Sequence, residues 1–179
     1  MYYTTEYESP VGVLTLASDG EHLAGLWLAG QKYHGASVPL PLHSDDGLSA
    51  FAEVRSWLDR YFAGLRPAPS EIALAPLGGE FRQSVWALLE EIPYGKTSTY
   101  GALAAGVAER MGKEKMSARA VGGAVGHNPI SIIIPCHRVV GSGGSLTGYA
   151  GGIDRKIKLL TLEGVDMGRF RMPTKGTAL

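Results

Sequence analysis

The chain has 179 residues, 45% of them hydrophobic and 19% charged, which suits one compact domain or two small ones and excludes both a mostly disordered chain and a membrane bundle. Its formal net charge of zero hides an asymmetry: residues 1–78 hold 4 Lys/Arg against 9 Asp/Glu, and residues 79–179 hold 13 against 8. A basic half points to a polyanionic partner for that half, although charges of either sign are as a rule solvated surface.

Residues 1–6 carry neither the basic start nor the apolar core of a secretory signal, and no apolar run approaches the roughly 20 residues that span a bilayer, so the expected location is cytoplasmic. Residues 2–7 are β-rich, and 11–17 alternate apolar and polar positions. Asp19-Gly20 supplies a tight turn before a third strand at 23–28. Residues 30–47 contain Pro39 and Pro41 without a clear period and read as a loop. Phe51, Val54, Trp57, Leu58, Tyr61 and Phe62 share one helical face, which Gly64, Pro67 and Pro69 end. Residues 71–75 read as a last strand. This half holds no chemical motif, and His22, His34 and His43 lack a second ligand type at metal spacing.

Leu77-Gly78-Gly79 marks a boundary, after which the pattern turns helical. A helix over 80–91 buries Phe81, Val85, Trp86, Leu88 and Leu89. Ser98 or Thr99 can cap a helix over 100–109, and Ser117 a second one over 118–125, closed by Gly126 and Asn128-Pro129. Two short helices across a turn read as a helix-turn-helix. The second is nearly all small residues, with Arg119 as its one long cation. It can approach a nucleic-acid backbone or the minor groove without reading sequence, or it can simply pack tightly on a neighbour. Residues 130–134 read as a buried strand or extended run, 141–152 as a glycine-rich loop, 153–162 as a final helix and 169–179 as a loose tail.

These elements predict an α/β (α+β) fold. A small N-terminal sheet-plus-helix domain (1–78) precedes a mainly helical C-terminal domain (79–168) containing the helix-turn-helix.

Cys136 is the single cysteine, so an internal disulfide and a multi-cysteine zinc site are both excluded. A lone cysteine is more often a small buried hydrophobe than a nucleophile. Its setting, Ile134-Pro135-Cys136-His137-Arg138-Val139, places an imidazole and a guanidinium beside it, and cationic neighbours favour thiolate. On an extended chain adjacent side chains diverge, so His137 reaches the sulfur through a water or after a local turn. Glu163 and Asp154 are the candidates to orient the imidazole. Spacing alone fits a cysteine hydrolase equally well.

Pro135-Cys136-His137-Arg138-Val139 resembles the active-site motif of the O6-alkylguanine-DNA alkyltransferase family. Arg119-Ala120-Val121-Gly122-Gly123-Ala124, Asn128-Pro129, Gly148-Tyr149-Ala150-Gly151-Gly152 and Glu163-Gly164 resemble further family motifs in the same order, together covering about residues 80–164. The resemblance implies transfer of an alkyl group from O6-alkylguanine, with O4-alkylthymine as a second candidate substrate, to Cys136, with the protein consumed. It implies that His137 acts through water as base and that Glu163 holds the imidazole. Asn128 is implied as a hinge between recognition helix and active-site strand, and Tyr100 as the residue that rotates the nucleotide and meets the base. Val125, Val139, Tyr149, Ala150 and Gly151 are implied as the base pocket. Tyr100, Gly101, Ser117, Ala118, Arg119 and Gly122 are implied as the DNA face, with Arg119 filling the vacated stack.

The implied partner is double-stranded DNA carrying O6-alkylguanine, bound by a monomer through the minor groove without sequence preference. No cofactor or metal is implied, since the N-terminal cysteines with which some relatives bind zinc are missing. Two departures stand out. Ala150 occupies a position where some relatives have serine, so a contact to O6 there falls to the backbone amide. Residues 110–116 make a longer turn than usual and add Lys113 and Lys115. The rival readings are a binding-only sensor of alkylated bases, a class that lacks the cysteine and commonly has tryptophan instead, a Cys–His hydrolase, and a structural DNA-binding protein with an inert cysteine.

Overall fold

A computed structural model describes residues 1–173, and these residues form two compact units. The first comprises Met1–Leu77 with Pro129–Ile133, the second Gly78–Asn128 with the chain from Ile134 onward.

In the first unit β1 (Tyr2–Ser9), β2 (Gly12–Ser18) and β3 (Leu23–Leu28) form an antiparallel meander, and β4 (Leu42–Ser44) adds to β1 in parallel, giving the order β3-β2-β1-β4. Helix α1 (Ser49–Phe62) packs on this sheet and buries Phe51, Val54, Trp57, Leu58 and Tyr61, the face that its apolar period specifies. Trp27 packs with Ala17, Ala24 and Val38, so β3 is buried along its whole length. Two expectations need correction here. The stretch read as loop contains β4, a three-residue strand too short to show a period. The last strand expected over 71–75 is a 3-10 turn at Pro69–Glu71 followed by a single bridge from Leu74 to Leu23.

The second unit contains α2 (Glu80–Glu90), α3 (Tyr100–Arg110), α4 (Ala118–Gly126) and α5 (Ile153–Leu162). The hydroxyl of Thr99 caps α3 by accepting the Ala102 amide at 3.1 Å, and that of Ser117 caps α4 by accepting the Ala120 amide at 3.3 Å. Helices α3 and α4 pack on each other and on α2, whose Trp86 indole donates to the Ala124 carbonyl at 2.9 Å. Strands β5 (Ser98–Thr99) and β6 (Val139–Val140) pair in parallel, so the start of α3 lies beside the chain that leaves Cys136.

Residues 130–134 are not a strand. Ile130 makes one bridge to Leu26, the chain then turns, and Ile132 adopts φ 71, a left-handed conformation that β-branched residues rarely take. The segment from Arg169 is not loose where it is described: Arg171 is hydrogen-bonded to the glycine-rich loop at Gly144 and Leu146. Residues 174–179 of the expected tail lie outside the described residues. Among the described residues no helix is long and apolar enough to cross a membrane.

Candidate active site

Every residue from 128 to 140 is buried. Within that segment Cys136, His137 and Arg138 form one 3-10 turn, the local bend that the reading of adjacent side chains left open. Cys136 is 4% exposed. Asn128, directly after α4 and its cap residue His127, donates its side-chain amide to the Ile134 carbonyl at 2.8 Å and to Cys136 Sγ at 3.1 Å. One side chain thus ties the end of α4 to the cysteine.

Of the two acids considered for the imidazole, the structure uses Glu163. His137 Nε2 lies 2.7 Å from Glu163 Oε1, with both side chains fully buried. Arg138 grips the same carboxylate, Nε to Oε2 at 2.8 Å and Nη2 to Oε1 at 3.0 Å, and gives Nη1 to the Ile92 carbonyl at 2.6 Å. The Gly95 amide donates to Oε2 at 3.1 Å. Gly95 has φ 72, and a Cβ there would stand 2.9 Å from the Glu163 carbonyl oxygen, so the position admits glycine alone.

Burial by itself would raise the Glu163 pKa, but the hydrogen bonds and charges of His137 and Arg138 outweigh it and hold the carboxyl down at about 2. Burial lowers the His137 pKa despite that carboxylate, so the resting imidazole is neutral. An ionised Glu163 then assigns the ring hydrogen to Nε2 and leaves Nδ1 as the basic nitrogen.

Burial also pushes the Cys136 thiol up, against the Asn128 hydrogen bond and the charge of Lys156. The resting sulfur is therefore a protected thiol. The sequence expectation that Arg138 biases it toward thiolate is corrected, because the guanidinium is committed to Glu163 and Ile92. The cation that favours the thiolate is Lys156 instead, which sequence reasoning missed. It is fully buried on α5, donates to the carbonyls of Val139 and, at 3.0 Å, Thr147, and burial brings its pKa down to about 8. A signal existed: Lys156 shares a helical face with the buried Leu159 and Leu160.

Tyr100, the first residue of α3, donates its hydroxyl to the Gly148 carbonyl at 2.8 Å and to Thr147 at 3.3 Å. Tyr149 is buried, with its ring edge-on to His137 at 6.5 Å between centroids, and its hydroxyl has no hydrogen-bond partner among the described residues. Val125, Val139 and Gly151 are buried and Ala150 is half-buried. Gly101, Ser117, Ala118 and Arg119 are exposed, and Arg119 is in no ion pair among the described residues. Gly122 is buried against the Tyr100 ring, where a Cβ would meet it at 3.7 Å. Among the described residues no group of three potential ligands could hold a metal.

The comparisons with known proteins agree over most of the chain. Residues 1–76 match the ribonuclease-like domain of 6-O-methylguanine DNA methyltransferase, and residues 80–165 match its DNA binding domain. The chain is 47% identical over 162 residues to the methylated-DNA--protein-cysteine methyltransferase of Haemophilus influenzae, covering 90% of this chain and 86% of that one. It is 46% identical over 165 residues to the protein of the same name from Methanosarcina acetivorans, covering 92% and 99%. Among solved structures, Mycobacterium tuberculosis OGT in complex with DNA superposes with a TM-score of 0.74 at 42% identity, covering 94% of each chain. The chain belongs to the 6-O-methylguanine DNA methyltransferase family.

Proposed function

We propose that this protein repairs double-stranded DNA by moving the alkyl group of O6-alkylguanine onto Cys136 in one irreversible turnover. The observation that carries the reading is the buried chain of contacts Asn128–Cys136 and His137–Glu163–Arg138 beside a helix-turn-helix.

The guanine O6 lies inside the duplex, so the nucleotide must leave the stack, at a cost of a few kcal/mol. Helix α4, with its small residues Ala118 and Gly122, approaches the minor groove together with Gly101 and Ser117. Arg119 fills the vacated space, and Tyr100 rotates the nucleotide. The flipped base enters between Val125, Val139, Tyr149, Ala150 and Gly151.

Binding brings the reacting carbon to Sγ. The thiol proton passes through a water to Nδ1 of His137, whose positive charge Glu163 stabilises. The sulfur–carbon bond forms as the carbon–O6 bond breaks, and the electron pair leaves with guanine. The Tyr100 hydroxyl, released from Gly148, hydrogen-bonds to the ring and eases that departure. Lys156 and the Asn128 amide favour the thiolate as it forms. The product thioether is a poor leaving group, and no second cysteine exists to take the alkyl group on.

Intact mass spectrometry after mixing with a duplex holding one O6-methylguanine tests this reading. The expected result is a gain of one CH2 unit on Cys136, saturating at one per chain and lost in Cys136→Ser. Binding to the lesion with no mass change would make the protein a sensor and overturn the proposal.

A further inference from the structure

The glycine-rich loop is anchored at its outer end by the segment that follows the fifth helix. The Arg171 amide donates to the Gly144 carbonyl at 2.9 Å, and the Leu146 amide donates to the Arg171 carbonyl at 3.0 Å. The Arg171 guanidinium donates to the Gly143 carbonyl at 2.8 Å. Met167 and Phe170 pack on the buried cluster of Val140, Leu146 and Leu160.

The loop is shaped for this approach. Gly143 and Gly144 have φ of 65 and 77. A Cβ on Gly144 would stand 2.7 Å from the Arg169 carbonyl oxygen, and one on Gly143 would stand 2.8 Å from the Arg171 guanidinium. Two glycines in the left-handed region thus make room for the segment to dock.

The inner end of the same loop is a wall of the site. The carbonyls of Thr147 and Gly148 hold the Tyr100 hydroxyl, Thr147 also receives Lys156, and Tyr149 lies against His137. Only three residues separate Gly144 from Gly148, and Leu146 among them is pinned on both its backbone and its side chain.

We propose that Met167–Arg169 with Phe170 and Arg171 form a positioning element for alkyl transfer, in which Arg171 fixes the loop so that Thr147, Gly148 and Tyr149 hold their places around Cys136. This rests on the reading of Cys136 as the alkyl acceptor. Arg171 touches neither sulfur nor base, so its effect falls on the rate of the bound complex and not on DNA affinity.

The test uses the full chain as wild type, Arg171→Ala, Arg171→Lys and Gly144→Ala. Single-turnover transfer is measured at saturating O6-methylguanine duplex, affinity is measured in a Cys136→Ser background, and amide exchange is followed across residues 142–149. Arg171→Ala is expected to slow transfer about three- to tenfold, the range that one lost hydrogen bond carries, with unchanged affinity and faster exchange in the loop. Arg171→Lys keeps a donor for the Gly143 carbonyl and recovers most of the rate. Gly144→Ala reproduces the loss with Arg171 intact, because its Cβ blocks docking. A wild-type rate in Arg171→Ala, or no rescue by lysine, overturns the proposal. A wild-type protein that transfers nothing overturns the reading of Cys136, whatever Arg171 does.

Discussion

Arg138 and Glu163 meet through two parallel hydrogen bonds, at 2.8 and 3.0 Å, with the carboxylate fully buried and the guanidinium side chain nearly so. The pair fixes the carboxylate that orients His137. Removing the guanidinium takes away two of the four hydrogen bonds described for this buried, ionised carboxylate, leaving those from His137 and the Gly95 amide. Arg138→Ala is therefore expected to cost about 3–5 kcal/mol of stability, the range for a broken buried pair. Arg138→Lys retains charge but loses the fork, and is expected to fall between the two. Denaturant unfolding of the three proteins checks the order.

Glu163 also sets an acid limit. Its folded pKa of about 2 lies below the ordinary 4.5, so the unfolded chain takes up the proton more readily. The resulting stabilisation, about 3 kcal/mol, is complete above pH 4.5 and fades as the pH falls toward 2. Glu163→Gln is expected to be less stable at pH 7 and to lose most of the pH dependence in that window. Unfolding curves at pH 7, 4 and 3 measure it, and equal slopes in both proteins would contradict the assignment.

Asn128 donates to the sulfur itself at 3.1 Å. Hydrogen bonds to charged groups are stronger than neutral ones, so the bond strengthens as thiolate forms. Asn128→Ala is expected to slow transfer about 10- to 100-fold. Asn128→Asp, similar in size but without a donor and with a like charge, is expected to be no better. Single-turnover kinetics on a lesion duplex decide this.

Arg119 is exposed, and under the proposed function it acts on the duplex and not on the thiol. Arg119→Ala should leave stability within about 0.5 kcal/mol. It should slow repair of O6-methylguanine in a duplex more than transfer from the free O6-methylguanine base, since a free base needs no flipping. Equal losses on both substrates would place Arg119 in the chemistry instead.

Much of this architecture was legible from local pattern. The strand at 23–28 and the helix at 153–162 have the expected bounds, and Thr99 and Ser117 cap their helices as their residue types suggest. What was not legible depends on distant partners. Strand β4 exists because β1 lies beside it. The turn through Ile132 overrides a β-branched run that reads as extended. Arg138 looked like a neighbour of the thiol in sequence, yet its partner is 25 residues away. The Arg171 segment has the composition of a tail and becomes ordered through Gly143 and Gly144.

The unbroken burial of residues 128–140 has a consequence for how the sequence can change. Most segments alternate inward and outward positions, and drift accumulates on the outward ones. This one has no outward position, so neutral substitution has nowhere to enter. A saturation mutagenesis scan scored on survival under alkylating stress should show one continuous intolerant block there, in contrast to the permissive exposed residues Lys113, Glu114 and Lys115. The chemistry at Cys136 would then be preserved by packing as well as by selection on the cysteine.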